Sequence, residues 1–495
     1  MKLTLVGHGY KYAVEQIMLA LFPGEKPVYA PAPALDAGDD GLSATSRLRM
    51  GAVYAQAVTV MRCGDKVSRA IARVRLDSLT GKLVTSRLIQ RIIKQSFYHA
   101  ALEFVDAPPV WGSLTGIRPA HIASAALEAG SSGPSAARKL VSEYYVSPER
   151  AELCVQAARA SIALKRELAP LDVALYVGIP FCPTRCAYCS FVSNSVEKSF
   201  GLVDPFVQTL LHEIGAVSET ARALGLRVVA AYIGGGTPTA LPDEALESVM
   251  TALNASFDLS GIREYTVEAG RPDTITARKL GIIRSLGADR ICVNPQSMSG
   301  DVLSAIGRRH TPEDVLDAAR LVRQAGAALN MDIIAGLPGD SPDGFRLTVD
   351  ALLALRPENI TVHTLSLKKG SRIMLESTAL PSGADVSGML GYASRRLREG
   401  GYEPYYLYRQ KYTSGGFENI GWSLPGHEGA YNICMMEELC TVLALGGGGV
   451  TKLVSPGGRI ERVFNAKYPR EYIMQSGKLG EKLEKIRNHV TQSHV

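Results

Sequence analysis

The sequence has no stretch of about 18 uninterrupted apolar residues, so no membrane-spanning helix and no membrane partner are expected. It also has no long run of one charge. Fifty-four Lys and Arg stand against 48 Asp and Glu, and the formal excess of +6 is spread along the chain. So slight an excess does not call for nucleic acid, and a partner carrying several carboxylates suits it equally well. Cysteine is sparse, with eight in 495 residues, and no repeat of fixed period is found. The opening MKLTLVGHGYKYAVEQIM has a short apolar stretch broken by Gly and His and no small-residue cleavage site. It reads as the first strand and helix of a domain, and a cytoplasmic location is expected.

What is present is enough apolar material, 46% of residues, for two or more cores, since single domains usually run to about 100–250 residues. Residues 1–165 alternate strand-like runs (KLTLVG, AVTVMR, LEFVD) with helical patterns (YAVEQIMLALF, HIASAALEAG), without a metal or phosphate motif; they read as an accessory α/β domain. In ELAPLDVALYV a Pro precedes a strongly β-favouring run, where a new domain can begin. From there VALYVGI, VVAAYIGGG, REYTVEAG, DRICVNPQ, ALNMDIIAGLP and ITVHTLSL alternate with helical patterns. That rhythm predicts βα units on a parallel sheet. Six units favour an open partial (β/α)6 barrel over residues 166–375, with an eight-stranded barrel or a doubly wound sheet as alternatives. Residues 376–495 lose the rhythm and read as a C-terminal subdomain closing one side of the sheet.

Three of the eight cysteines fall within eight residues, Cys182-Pro-Thr-Arg-Cys186-Ala-Tyr-Cys189, directly after the first strand of the repeating region. In parallel βα architectures that is the end at which active sites form. A cubane iron–sulfur cluster takes one ligand per iron, so three thiolates leave one iron open to an exogenous chelator. A structural zinc would need a fourth Cys or His nearby, and the nearest in sequence are Cys154 and His212. A redox C-x-x-C pair, Cys186 and Cys189, accounts for neither Cys182 nor the Pro-rich approach.

Polar residues recur at the ends of the later strands. Gly234-Gly235-Gly236-Thr237-Pro238 follows the second, a run that permits close backbone approach to a charged ligand and also suits a plain turn. Glu268 ends the third strand, Gln296 follows the fourth, Asp332 lies in the fifth, and Arg308 sits in AIGRRH. Each alone suits a satisfied structural role; together they offer groups for ribose hydroxyls and an amino group. Cys292, inside the fourth strand, is expected to have a buried apolar role.

CPTRCAYC resembles the C-x-x-x-C-x-x-C signature of radical S-adenosylmethionine (SAM) enzymes. LYVGIPFCPTRCAYCSF, IGGGTPT, VEAGRPD, NPQS, IGRRH and MDIIAGLPGD together resemble the oxygen-independent coproporphyrinogen III oxidase branch, in the Z-type variant with an extra N-terminal domain. The resemblance covers about residues 170–470. It implies a [4Fe–4S] cluster on Cys182, Cys186 and Cys189, with SAM as the second cofactor. It further implies SAM contacts by Tyr176, Tyr188, Gly235, Gly236, Thr237, Glu268, Gln296, Arg308 and Asp332. The implied reaction is oxidative decarboxylation of two propionates of coproporphyrinogen III through a 5′-deoxyadenosyl radical, giving protoporphyrinogen IX. A tetrapyrrole substrate, an electron donor such as flavodoxin or ferredoxin, and a monomer are the corresponding expectations; no side chain is assigned to the chemistry itself. Arg271, Arg290, Arg309 and Lys368 are candidates for the substrate's other carboxylates. Two departures stand out: Phe191 replaces a further cysteine, as in a sister group of haem-binding chaperones, and Asn294-Pro295 precedes Gln296 where small or β-branched residues are usual. The alternatives are therefore a haem-binding protein, with His310, His363 or His427 as axial ligand, and a radical enzyme acting on haem.

Overall fold

The computed structural model describes residues 1–30, 41–189, 194–366, 371–375, 379–410, 416–456 and 458–493. They divide into two compact units, and the boundary between Val155 and Gln156 falls inside the helix Pro148–Glu167, ten residues before the sequence-based boundary at 165.

The first unit carries a five-stranded sheet in the order Val28–Tyr29, Lys2–Val6, Ser43–Met50, Tyr54–Cys63, Lys66–Arg75. Tyr54–Cys63 alternates between buried and more open positions up to Arg62. Its inward side chains Ala55, Ala57 and Met61 pack with Val14, Ile17 and Met18 of helix Lys11–Leu21 and Ile89, Ile92, Ile93 and Phe97 of helix Gly81–Ala101. The run LEFVD is not a strand: Leu102–Phe104 is a 3-10 turn that finishes the long helix. A short apolar run beside a helix end has no period long enough to tell the two apart.

The second unit is built on one eleven-stranded open sheet, whose strands are numbered here β1 to β11. β1 (Asp172–Ile179), β2 (Arg227–Gly235), β3 (Glu264–Glu268), β4 (Arg290–Gln296), β5 (Ala328–Ala335) and β6 (Asn359–Thr364) are the six runs read from the sequence. They pair in parallel in chain order, the six βα units of an open partial barrel. β7 (Glu403–Arg409) and β8 (Glu418–Ser423) add antiparallel strands beside β6. β9 (Thr441–Gly446) lies parallel to β1 and continues through β10 (Val450–Val454) and β11 (Ile460–Phe464). The C-terminal residues thus extend both edges of the sheet rather than closing one side. Both edges of the parallel part are thus paired, and the open edges of the sheet are β7 and β11.

Strand alternation gives the sheet two characters. Leu175, Val177, Val229, Ile233, Val267, Ile291, Val293, Leu329, Met331, Ile333, Ile360 and Val362 are buried apolar residues at one set of positions. The intervening set reads Tyr176, Tyr232, Thr266, Glu268, Cys292, Asn294, Asn330, Asp332, Thr361 and His363. Helix Ala430–Glu437 lies on this polar face: its Ala430, Tyr431 and Cys434 form one cluster with Ala174, Ala230, Cys440 and Val442, against which Tyr176 and Tyr232 pack. Among the described residues no helix is long and apolar enough to cross a membrane.

Candidate active site

The cysteine loop leaves β1 through Pro180 into Phe181–Cys182, a two-residue strand paired with Asn194–Ser195. Cys182 is buried, and Cys186 and Cys189 are partly exposed. The turn after β2 is strapped to this loop. Gly236 N–H donates to Ile179 O (2.8 Å), Thr237 N–H to Phe181 O (2.7 Å), and the Thr237 hydroxyl to Cys182 Sγ (3.4 Å). A Cβ on Gly236 would stand 2.4 Å from Phe181 O, and Gly235 sits at φ +109°. The glycines therefore serve approach of the turn to the cysteine loop itself. Gly236→Ala should push that loop aside and lower the iron retained after anaerobic reconstitution several-fold. Gly300→Ala, where an added Cβ meets nothing within 4 Å, is the control, and equal iron in both variants would contradict the strap.

Two arginines fix the loop from its other side. Arg271, 2% exposed, binds Asp273 through Nε (3.1 Å) and sends Nη1 to the Thr184 hydroxyl (3.0 Å), with Cys186 Sγ at 3.7 Å. Arg308, also buried, donates to Gly270 O (3.1 Å), Asn294 O and the Tyr188 hydroxyl (3.1 Å). Burial opposes the charge of Arg308, but Tyr188 and Cys186 outweigh it and raise its pKa. Two bonds to backbone carbonyls complete the dock, from Ala187 N–H to Ile306 O (2.9 Å) and from the Thr184 hydroxyl to Gly307 O (3.2 Å). His310 is buried beside these cations; burial first, then Arg308 and Arg271, push its pKa down to about 4, so the ring is neutral.

These placements correct several expectations. Arg271 is locked against the cysteine loop and is not free to receive a substrate carboxylate. Arg290 opens β4, at the end of the sheet opposite the cysteines, where its guanidinium binds Asn359 Oδ1 and His427 O. His427 accepts through its carbonyl there, in an exposed loop. Arg309 is exposed, while Lys368 and Phe191 lie outside the described residues. Cys292 is buried as expected, but in polar surroundings: its Sγ is 3.8 Å from the Tyr232 hydroxyl, and burial, then Asp332 and Glu268, raise its pKa.

On the polar face of the sheet, Tyr232 stacks on Tyr431 (4.7 Å between centroids), and Tyr176 lies near-parallel to both (6.4 and 6.2 Å). Above this floor stands Glu268, which accepts from Asn294 Nδ2 (3.3 Å), Gly235 N–H and the Tyr232 hydroxyl. Burial, then the nearby Asp332 charge, push its carboxyl up to about 8, against those bonds and Arg308. Asp332 accepts from Asn330 Nδ2 (3.0 Å), and its other oxygen lies 3.6 Å from His363 Nε2. Gln296 closes β4 at φ +68°, rare for a residue with a side chain, with its Oε1 buried and without a donor; Asn294 Oδ1 is likewise orphaned. Strained backbone and unpaired buried acceptors concentrated at one strand end mark a functional site.

The raised Glu268 value fixes a pH dependence. The folded value of about 8 lies above the ordinary 4.5, so between them the folded protein holds a proton that the unfolded chain has released. Stability of the cofactor-free protein should therefore be fully present below the lower value and decline as pH rises through that window. Urea denaturation of Glu268→Gln should show a shallower decline between about pH 5 and about pH 8, the interval over which Glu268 releases its proton. Parallel profiles for variant and parent would contradict the assignment.

The structure thus joins Cys182, Cys186, Tyr188, Gly235, Gly236, Thr237, Glu268 and Arg308 through direct contacts, with Tyr176, Gln296 and Asp332 on the same strand-end face. No three His, Cys, Asp or Glu side chains among the described residues gather around a single-ion position. A tetrahedral zinc needs such a gathering, whereas a cubane spreads its thiolates over separate irons. The unpaired acceptors and carboxylates fit a ligand that brings N–H and O–H donors and positive charge. Sequence reasoning missed Tyr232 and Tyr431, of which only Tyr232 carried a signal, as a polar ring in an otherwise small-residue set Ala230, Gly234; Asn294 stood out only as a departure from the family pattern, without a role.

Residues 176–352 match the model of the radical SAM superfamily. The chain is 40% identical over 369 residues to the oxygen-independent coproporphyrinogen-III oxidase-like protein HemZ of Bacillus subtilis (strain 168), covering 73% of this chain and 74% of that protein. It is 27% identical over 308 residues to the heme chaperone HemW of Escherichia coli (strain K12), covering 62% and 76%. Among solved structures, coproporphyrinogen III oxidase (HemN) from Escherichia coli, a radical SAM enzyme, shares the fold with a TM-score of 0.52 at 21% identity, over 65% of this chain and 73% of that one. With the cysteine loop at the mouth of six parallel βα units, these likenesses show that the chain belongs to the radical SAM superfamily, whose members use a [4Fe–4S] cluster and SAM, within its HemZ/HemN-like branch.

Proposed function

We propose that the protein is an oxygen-independent coproporphyrinogen III oxidase, removing two propionate carboxyls to leave the vinyl groups of protoporphyrinogen IX. The observation that carries this reading is the joined set of cysteine loop, arginine locks and unpaired buried acceptors at one end of the sheet. Cys182, Cys186 and Cys189 are the thiolates for the cluster, and their number leaves one iron for SAM. Bound there, cluster and SAM would supply hydrogen abstraction from a propionate β-carbon, and the accompanying loss of carbon dioxide would need a one-electron acceptor.

The protein's part is to hold and to exclude. Arg271 and Thr184 keep Cys186 in place, and Thr237 keeps Cys182. Glu268, Gln296 and Asp332 present acceptors to the amino group and ribose of SAM, with Tyr176 and Tyr188 as flanking rings. The stacked Tyr176, Tyr232 and Tyr431 floor the site and keep water from below. Exposed Arg185, between two ligand cysteines, suits an acidic electron donor such as flavodoxin or ferredoxin. The protein acts as a cytoplasmic monomer in this reading.

One observation favours a second reading. His363 is the candidate axial ligand that faces a carboxylate on the polar face, at 3.6 Å from Asp332, and a carboxylate behind the ring is the usual support of a metal-binding histidine. The test supplies anaerobically reconstituted protein with a strong reductant, SAM and coproporphyrinogen III, and follows 5′-deoxyadenosine and tetrapyrroles by chromatography. Vinyl product supports the oxidase. 5′-Deoxyadenosine without vinyl product overturns it in favour of a radical enzyme acting on haem, and tight haem binding with neither product favours the haem-binding protein.

A further inference from the structure

β4 ends unlike its neighbours. Its pairing with β5 shifts register between Val293 and Gln296, and Pro295, which has no N–H for a sheet ladder, sits in the shift. The bulge throws Gln296 into the left-handed region. It also leaves Asn294, 4% exposed, facing into the strand-end set with two separate engagements. The Asn294 carbonyl accepts from Arg308 Nη1, and the Asn294 amide donates to Glu268 Oε1 at 3.3 Å. There is little slack: a Cβ on Gly270 would stand 3.1 Å from that amide nitrogen. A small or β-branched apolar residue at 294 could make the first contact, which is backbone, but not the second.

We infer that Asn294 is a positioning residue for Glu268: its side-chain amide holds the carboxyl at the strand end in the orientation and charge state that receives the cationic part of SAM. This rests on the reading of Glu268 as a SAM contact. Glu268 needs such help. Burial and the Asp332 charge on β5 disfavour its ionised form, while Tyr176 from β1, Tyr232 from β2, Cys292 from β4 and Tyr431 from helix Ala430–Glu437 face it as neutral groups, since burial raises the pKa of each. Against burial and Asp332 stand the Arg308 charge, the Gly235 N–H and the Tyr232 hydroxyl. The Asn294 amide adds a donor on the β4 side, and a hydrogen bond to the charged form of an acid favours that form. A buried asparagine serving only the fold would leave the titration of Glu268 untouched.

The experiment titrates Glu268 directly in the cofactor-free chain by infrared difference spectroscopy, its carboxyl band identified by loss in Glu268→Gln. In Asn294→Val the midpoint should rise by about one pH unit. Asn294→Asp, nearly the same shape and so the safeguard if the valine variant folds poorly, should raise it at least as far. SAM affinity by calorimetry on anaerobically reconstituted protein should fall about tenfold at about pH 7.5 in both variants, on the lower flank of that titration. Unchanged midpoints in both variants overturn the inference. A raised midpoint with unchanged SAM affinity supports the positioning of Glu268 by Asn294 and contradicts instead the role of Glu268 as a SAM contact.

Discussion

Cys182→Ala, Cys186→Ala and Cys189→Ala should each reduce iron and acid-labile sulfide in reconstituted protein to background, with loss of the visible thiolate-to-iron absorbance and of all 5′-deoxyadenosine formation. A cubane held by three thiolates has none to spare, because its fourth iron is the one left to the substrate-side ligand. The remaining cysteines lie elsewhere. Cys63 is exposed at the end of a strand in the first unit, Cys154 is buried in helix Pro148–Glu167, and Cys434 and Cys440 belong to the cluster under the tyrosine floor. Alanine at any of these four should leave the cluster intact. Cys292→Ala should also keep it, since Cys292 is in contact with Tyr232 rather than with the cysteine loop. Colour retained in any of the first three variants would overturn the ligand assignment.

The next largest effect is expected from Arg308→Met. The side chain is long enough to fill the space but donates nothing, so the Tyr188 hydroxyl, Gly270 O and Asn294 O lose their shared partner inside the fold. Three buried groups left without a charged donor should cost about 3 kcal/mol. The loss is chemical as well as structural, since Arg308 is a cation close to both Cys186 and Glu268. Chemical denaturation should report the destabilisation, and SAM affinity should fall along with cluster content. Arg308→Lys should rescue little, because one ammonium cannot span the three acceptors that the planar guanidinium reaches. A lysine variant with full cluster content and parental stability would contradict this account of the lock.

How far these features were legible in the sequence differs from element to element. β1 to β6 were readable because each is an apolar run buried between layers, and such runs separated by long amphipathic helices have few other interpretations. Ser43–Met50 and Lys66–Arg75 were not, since strands with a solvated face and edge arginines carry little apolar signal. The cysteine motif pointed to one loop, and the structure places that loop directly after β1, at the carboxyl end of that strand. Chain position alone then misplaced the arginines. Arg290 and Gln296 belong to one strand, yet a seven-residue strand separates its ends by about 20 Å, so the guanidinium falls at the far end. Arg271 was read as available to substrate because sequence does not reveal that Thr184 and Asp273 already hold it. Tyr431, about 200 residues beyond its stacking partner Tyr232, enters the site through helix Ala430–Glu437, and no local pattern announces such a contact. Cys292 was expected among apolar neighbours because its own strand is apolar; its surroundings come from β2, β3 and β5 instead.

The central claim is that three thiolates hold a cluster with one iron open to SAM at the mouth of a parallel sheet. Electron paramagnetic resonance of the anaerobically reduced protein, with and without SAM, tests it most directly. The account predicts the signal of a one-electron-reduced [4Fe–4S] cluster whose g-values shift when SAM is added, through coordination of the open iron. A protein that carries zinc or no metal at the cysteine loop, or a cluster signal that SAM leaves unchanged, would contradict it.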